Sequence, residues 1–497
     1  MVKLDFQRWW DSMDYRTLSI QELHSLLVNK EITPLELTKA AIENAKKDNN
    51  NAFEYIMEKE AIEIASSLGE PEEHNLLWGI PFVIKDNFST KDVPTTASSN
   101  ILKDYVPIYS SEVYQRLLNS KAISIAKTTL DELAMGGSGT TGHLGITFNP
   151  WDKTHKRHVG GSSCGSAAAI SAGIVPLALG SDTGDSVRKP ASYAGLVGFK
   201  PTWGRISRYG LFPFATSMDH VAYFTRNVID SAITLNLLAG RDNKDATSSF
   251  VKVDNYLENI SNGIKGKRIA VIKEIVDYTI DPVIKARFLE TLDYLKAEGA
   301  TVDFVSVDDK LLRAIYPTYI VISCAEATSN NANLDGIKFG VRENGNTYQE
   351  IMTNTRTKGF SELIKRRFVI GGFSLLKANQ KDLFLKAQKC RRLIVDAYNN
   401  ILKEYDAIYL PASPTVAPLF GSQSEKLSGE YLVGDNHLGV MNFAGLPSIT
   451  LPIGFNEGMP FGANFTSKAF TEADLFQIAT ALEKHTGLKN IVAKEDK

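Results

Sequence analysis

The chain has 497 residues, 43% hydrophobic and 23% charged, and its 24 Phe and 18 Tyr can build a large core, so the composition excludes a disordered protein. Lys and Arg total 55 against 57 Asp and Glu, a net charge of −2, which leaves no cation surplus for coating a polyanion. The opening Met1 to Phe6 lacks the order of a secretory signal, and the longest uncharged run, Val159 to Ser181, is too rich in Gly and Ser to cross a membrane.

Two helices are signposted first. Ser19 with Glu22 makes a capping box ahead of Leu23, Leu26 and Leu27, and Thr33-Pro34-Leu35-Glu36 repeats the box with proline at the first helical position. Asn49-Asn50-Asn51 closes that unit. Gly79 to Ile84 reads as a short buried strand that delivers Lys85 at its end, and Ala122 to Lys127 as another, followed by a helical turn over Thr129 to Met135. Further on, a strand at Arg268 to Ile272 and a helix over Pro282 to Glu298 alternate in α/β fashion. A charged helical region around Glu350 to Arg392, a strand at Ala407 to Leu410 and an amphipathic helix from Glu472 to His485 complete the pass. The expected organisation is an N-terminal helical segment over residues 1–60 packing on the core, one α/β domain over 61–490, and a charged tail over 491–497.

Between Gly136 and Ser186 the composition shifts to eleven glycines and seven serines. Apolar stretches such as Ala167 to Ile170 and Ile174 to Leu179 interrupt it, so a tightly packed backbone site fits better than a linker. Three short patterns compete here. Gly137-Ser138-Gly139-Thr140-Thr141-Gly142 is a formal G-x-G-x-x-G, but it follows a helical stretch and lacks the acidic residue of a dinucleotide site. Gly161-Ser162-Ser163-Cys164-Gly165 is a formal G-x-S-x-G, but no strand runs into it as a nucleophile elbow requires. The third pairs Ser162 with Ser186, 24 residues on, through a small-residue helix and an apolar strand. With Lys85 these make a candidate Ser–Ser–Lys system. A serine hydroxyl needs an adjacent base, and a buried lysine can serve because desolvation disfavours its ammonium. The turn Thr183-Gly184-Asp185 before Ser186 would offer N–H groups to an oxyanion. Residue types alone leave open the plainer reading, in which these glycines make turns and these serines cap helices. Cys164, Cys324 and Cys390 are scattered and odd in number, and no Cys-x-x-Cys or His-Glu-x-x-His occurs, so we expect a reducing, cytoplasmic setting, no disulfide framework and no metal.

Residues 85–226 resemble the amidase signature family through Pro81-Phe82-Val83-Ile84-Lys85-Asp86, Gly160-Gly161-Ser162-Ser163 and Ser181-Asp182-Thr183-Gly184 leading to Ser186. That resemblance implies one large mixed sheet covered by helices on both faces, with Ser186 as nucleophile, Ser162 as relay on a cis peptide bond and neutral Lys85 as base. Through Gly204 to Leu211, Thr318-Tyr319, Glu326-Ala327, Asp335 to Ile337, Lys365-Arg366-Arg367 and Asn442 to Pro447, the chain is similar to the glutamine-hydrolysing A subunits of tRNA-dependent amidotransferases. In those subunits a tyrosine, an arginine and an aspartate grip glutamine, implying Tyr319, Arg367 and Asp435 here. The resemblance further implies a B subunit that uses ATP and Mg on misacylated Glu-tRNA(Gln) or Asp-tRNA(Asn), a small C subunit, no cofactor in this chain and no membrane.

Four departures from the family stand out. Asp185 replaces a glycine, Cys164 another glycine, Lys189 a common glutamine, and Val221 to Phe224 a Gly-Pro. The Asp185 carboxylate is expected to oppose an oxyanion and raise the pKa of Lys85, in a turn where aspartate tolerates a left-handed backbone. Two rival readings follow: a stand-alone amidase acting on another amide, and a weakly active or inactive scaffold subunit.

Overall fold

A computed structural model describes residues 14–422 and 425–493, so the opening Met1 to Phe6 and most of the 491–497 tail lie outside the described residues. Eleven strands join one sheet: β1 (Phe53–Ile56), β2 (Pro81–Lys85), β3 (Ile123–Thr128), β4 (Leu177–Asp182), β5 (Val197–Lys200), β6 (His220–Thr225), β7 (Arg268–Ile272), β8 (Thr301–Val305), β9 (Ala407–Pro411), β10 (Ser448–Asn456) and β11 (Met459–Ser467). Their order is β1-β3-β2-β4-β6-β5-β10-β11-β9-β7-β8. β2 runs parallel to β3 and β4, and β7 parallel to β8 and β9, while the centre of the sheet is antiparallel. The sheet is therefore mixed.

Side chains alternate across a strand, so each one feeds two cores. Phe82, Ile84, Leu177, Leu179, Ile269 and Val271 join one apolar cluster. Their neighbours Val83 and Ala178 join a second and Ala270 and Ile272 a third. The helix Ile20–Val28 packs Ile20, Leu23 and Leu27 into the first cluster, together with Pro282–Ala297 and Glu472–Thr486. On the other side, Pro34–Lys46 and Cys164–Ser171 cover the second cluster, and Ile315–Asn330 and Phe384–Glu404 the third.

Local signals place several of these elements. Both capping boxes form, with Ser19 accepting from Glu22 N and Thr33 from Glu36 N. Segment 1–60 also contributes β1, which pairs with β3 at the sheet edge, so it is not helical throughout. The expected helical turn over Thr129 to Met135 shrinks to a 3₁₀ turn at Glu132–Ala134, because Leu133 (φ 52°) and Ala134 (φ 61°) are left-handed and cannot propagate a helix. The charged region resolves into three helices, Tyr348–Gly359, Glu362–Leu375 and Phe384–Glu404. Val221 to Phe224 lies inside β6, buried, paired with β4 throughout and with β5 at Tyr223 and Phe224, a place where proline would delete a ladder hydrogen bond. No helix among the described residues is long and apolar enough to cross a membrane.

Candidate active site

The parallel register of β2 and β4 brings Lys85 and Asp182, at their carboxyl ends, to one end of the sheet, where open α/β sheets place their ligands. The helix Cys164–Ser171 packs on both strands and carries Ser162 and Ser163 at its entrance. Lys85 Nζ is fully buried and donates to Ser162 Oγ at 2.8 Å, Ser163 Oγ at 2.9 Å and Ser181 Oγ at 3.0 Å. Burial pulls its pKa from the ordinary 10.5 to about 7, against the pull of Cys164, Asp131, Asp182 and Asp219. The Gly161–Ser162 peptide bond is cis.

Ser186 lies beside this cluster, its carbonyl accepting from Ser163 N at 3.2 Å. Among the described residues its hydroxyl makes no hydrogen bond, and the N–H groups of Thr183, Gly184, Asp185 and Ser186 meet no acceptor. The turn is held from behind instead. Arg188, fully buried, grips Asp182 with Nε at 3.1 Å and Nη2 at 2.9 Å, and the same Nη2 reaches the Gly184 carbonyl at 2.7 Å and Asn442 Oδ1 at 2.6 Å. Asp182 Oδ2 also takes the Val187 N–H at 3.0 Å. A Cβ at Gly184 would press on the Tyr319 ring at 3.0 Å, so a side chain there would require that ring to give by a few tenths of an ångström.

The glycine-rich loop has a different purpose from the one its pattern suggests. Asp131 accepts the N–H groups of Ser138, Gly139, Thr140 and Thr141 at 3.0 to 3.1 Å, so an internal carboxylate fills the concavity a phosphate would need. Gly161 admits that carboxylate at a distance no Cβ would allow. Ser163 starts a helix with no strand before it, which disposes of the nucleophile elbow. Cys164 is buried and its thiol pushed up to about 12 by that burial, the pattern of a packing residue.

Tyr319, Arg367 and Asp435 line one cavity of about 740 Å³ with Asp185 and Lys189. Tyr319 comes from Ile315–Asn330 and Arg367 from Glu362–Leu375, two helices that pack together, while Asp435 caps a short helical turn at Glu430–Gly434. Arg366 is exposed, but Arg367 turns inward, and its Nη1 is buried with no hydrogen-bond partner among the described residues. An unpaired buried donor of that kind is costly unless a ligand satisfies it.

Asp185 departs from expectation. It has no positive φ, so no left-handed turn needs tolerating. Its carboxylate is not among the largest influences on the pKa of Lys85, and Lys189, one helical turn on, pairs with it at 2.9 Å. The i,i+4 spacing of these two charges was legible in the chain. The partnerships of Ser163 and Ser181 with Lys85 and of Asn442 with Arg188 carry no such local signal, because they span 78, 96 and 254 positions.

The amidase family model matches residues 36–476. The chain is 40% identical over 479 residues to the A subunit of the glutamyl-tRNA(Gln) amidotransferase of Streptococcus mutans, covering 95% of this chain and 97% of that one. It is 39% identical over 480 residues to the protein of the same name from Streptococcus pneumoniae, covering 96% and 97%. The crystal structure of the Thermotoga maritima protein of that name superposes with a TM-score of 0.78 at 37% identity, covering 95% of each chain. With the match running from the N-terminal helices to the last one, the chain belongs to the amidase family.

Proposed function

We propose that this chain is the glutamine-hydrolysing subunit of a tRNA-dependent amidotransferase, a reading supported by full-length relatives that carry that name. The observation that carries it is one cavity, lined by Asp185 next to Ser186 in the chain, that holds an aspartate together with an arginine whose buried Nη1 lacks a hydrogen-bond partner among the described residues, the charges that fit the ammonium and carboxylate of a free amino acid. Ser186 Oγ attacks the side-chain amide. Its proton passes through Ser162 and neutral Lys85 to the leaving nitrogen, and the free N–H groups of 183–186 stabilise the oxyanion. Ammonia departs, and water cleaves the glutamyl ester. Ammonia then serves a B subunit that uses ATP and Mg on misacylated tRNA, with a C subunit joining the two. Ammonia release from glutamine by the three co-expressed subunits tests the reading, and a folded complex that releases none removes it.

Two expected results follow. Lys85 works as a base only when neutral, so kcat/KM for glutamine rises with pH through a midpoint of about 7. A limb near the ordinary lysine value in the pH–rate profile would assign the base elsewhere. Arg367→Ala removes a charged hydrogen bond of about 1.5–3 kcal/mol and lowers kcat/KM for glutamine by roughly tenfold to a hundredfold, mainly through KM. Steady-state kinetics of the complex check it, and an unchanged KM would remove Arg367 from the substrate site.

A further inference from the structure

Lys189 occupies the amino-acid pocket in a way the proposed reaction does not use. Its Nζ donates to the Asp435 carbonyl, lies 2.9 Å from Asp185 Oδ2 and 3.8 Å from Asp435 Oδ1, and its side chain is only 11% exposed. Burial opposes this ammonium, but the carboxylates of Asp185 and Asp435 outweigh it and keep Lys189 charged. The acceptor assigned above to the substrate's α-ammonium therefore already faces a cation belonging to the protein. An entering ammonium must share Asp435 with a like charge. Arg367 is the reverse case, because its buried Nη1 still lacks a hydrogen-bond partner among the described residues. The arginine is thus open to a carboxylate, while the aspartate already faces a cation of the protein.

From this asymmetry we infer that the site accepts linear monoamides of dicarboxylic acids lacking an α-amino group about as well as glutamine. Lys189, held by Asp185, is the residue that sets this breadth. The inference rests on the glutaminase reading above and extends its substrate class. The chemistry is unchanged. The Ser186 Oγ–carbon bond forms as the carbon–nitrogen bond breaks, the serine proton leaves with nitrogen as ammonia, and water then cleaves the ester to the dicarboxylate and restores the hydroxyl. Arg367 holds the distal carboxylate throughout.

The test compares kcat/KM for glutamine and for glutarate monoamide, the same molecule without its amino group, using the co-expressed complex. The wild-type ratio is expected to stay within about threefold. In Asp185→Asn/Lys189→Gln, which frees Asp435 without stranding a carboxylate, glutamine is expected to be favoured by about tenfold to a hundredfold, mostly through KM, as a recovered charged hydrogen bond implies. The wild-type ratio decides by itself if the variant does not fold. Turnover of glutamine with rejection of the monoamide by a hundredfold overturns the inference alone, and so does a ratio that the double variant leaves unmoved. Turnover of the monoamide without glutamine overturns the glutaminase reading and, with it, the expected parity of the two substrates. A folded complex inert toward both overturns both.

Discussion

Ser186→Ala is expected to lower glutamine hydrolysis by on the order of 10⁴-fold or more while leaving the fold intact, the scale on which loss of a serine nucleophile acts. The fold survives because the Ser186 hydroxyl makes no hydrogen bond among the described residues, and the contact that ties this residue to Ser163 runs through its carbonyl. The other hydroxyls cannot take over at comparable rate. Ser162, Ser163 and Ser181 are all buried and held by Lys85, whereas the Ser186 hydroxyl is the one of the four left without a hydrogen bond among the described residues. Ammonia release and labelling by a serine-directed acylating probe measure the effect, with the thermal midpoint as the fold control. Residual hydrolysis near a tenth of wild type would move the nucleophile to one of those three serines.

Arg188→Leu is the second large effect, and it acts on stability. The guanidinium is buried with the Asp182 carboxylate, and removing it leaves that carboxylate without its counter-charge and the Gly184 carbonyl without its Arg188 donor. Breaking one side of a buried pair costs about 3–5 kcal/mol, because the remaining charge is left desolvated without its partner. Arg188→Lys does not restore the site, since one ammonium cannot reproduce the planar fork that meets Asp182, Gly184 and Asn442 at once. Denaturant titration of the variant against wild type checks the cost. A loss under about 1 kcal/mol would show that this network does not support the nucleophile turn. Arg188→Leu/Asp182→Leu separates the two contributions, because it removes the stranded charge and is expected to recover part of the loss.

Elements whose cause is local were readable from the chain. The capping boxes at Ser19 and Thr33, the strand at Arg268 to Ile272 and the helix that starts at Pro282 depend on neighbours within four positions. The β10–β11 hairpin escaped the reading although it has a local signal. Glu457 (φ 51°) and Gly458 (φ 75°) form its two-residue turn, but a glutamate is a weaker marker there than asparagine or aspartate.

For the site, the chain by itself determined which residues carry the chemistry. Two serines at fixed spacing, a lysine at a strand end and a family-like turn are properties of order and residue type. Tertiary structure decided their state. Lys85 reaches a pKa of about 7 only because distant segments wall it off from water, and no local pattern encodes desolvation. The same holds for charge. Asp185 reads in isolation as a threat to the oxyanion and to the base, yet Lys189 faces it, and Asp435 arrives from 246 residues away to share that lysine. Sequence order names the charged groups, but their interaction energy depends on distance and dielectric, and both are set only when the sheet and its covering helices close around them.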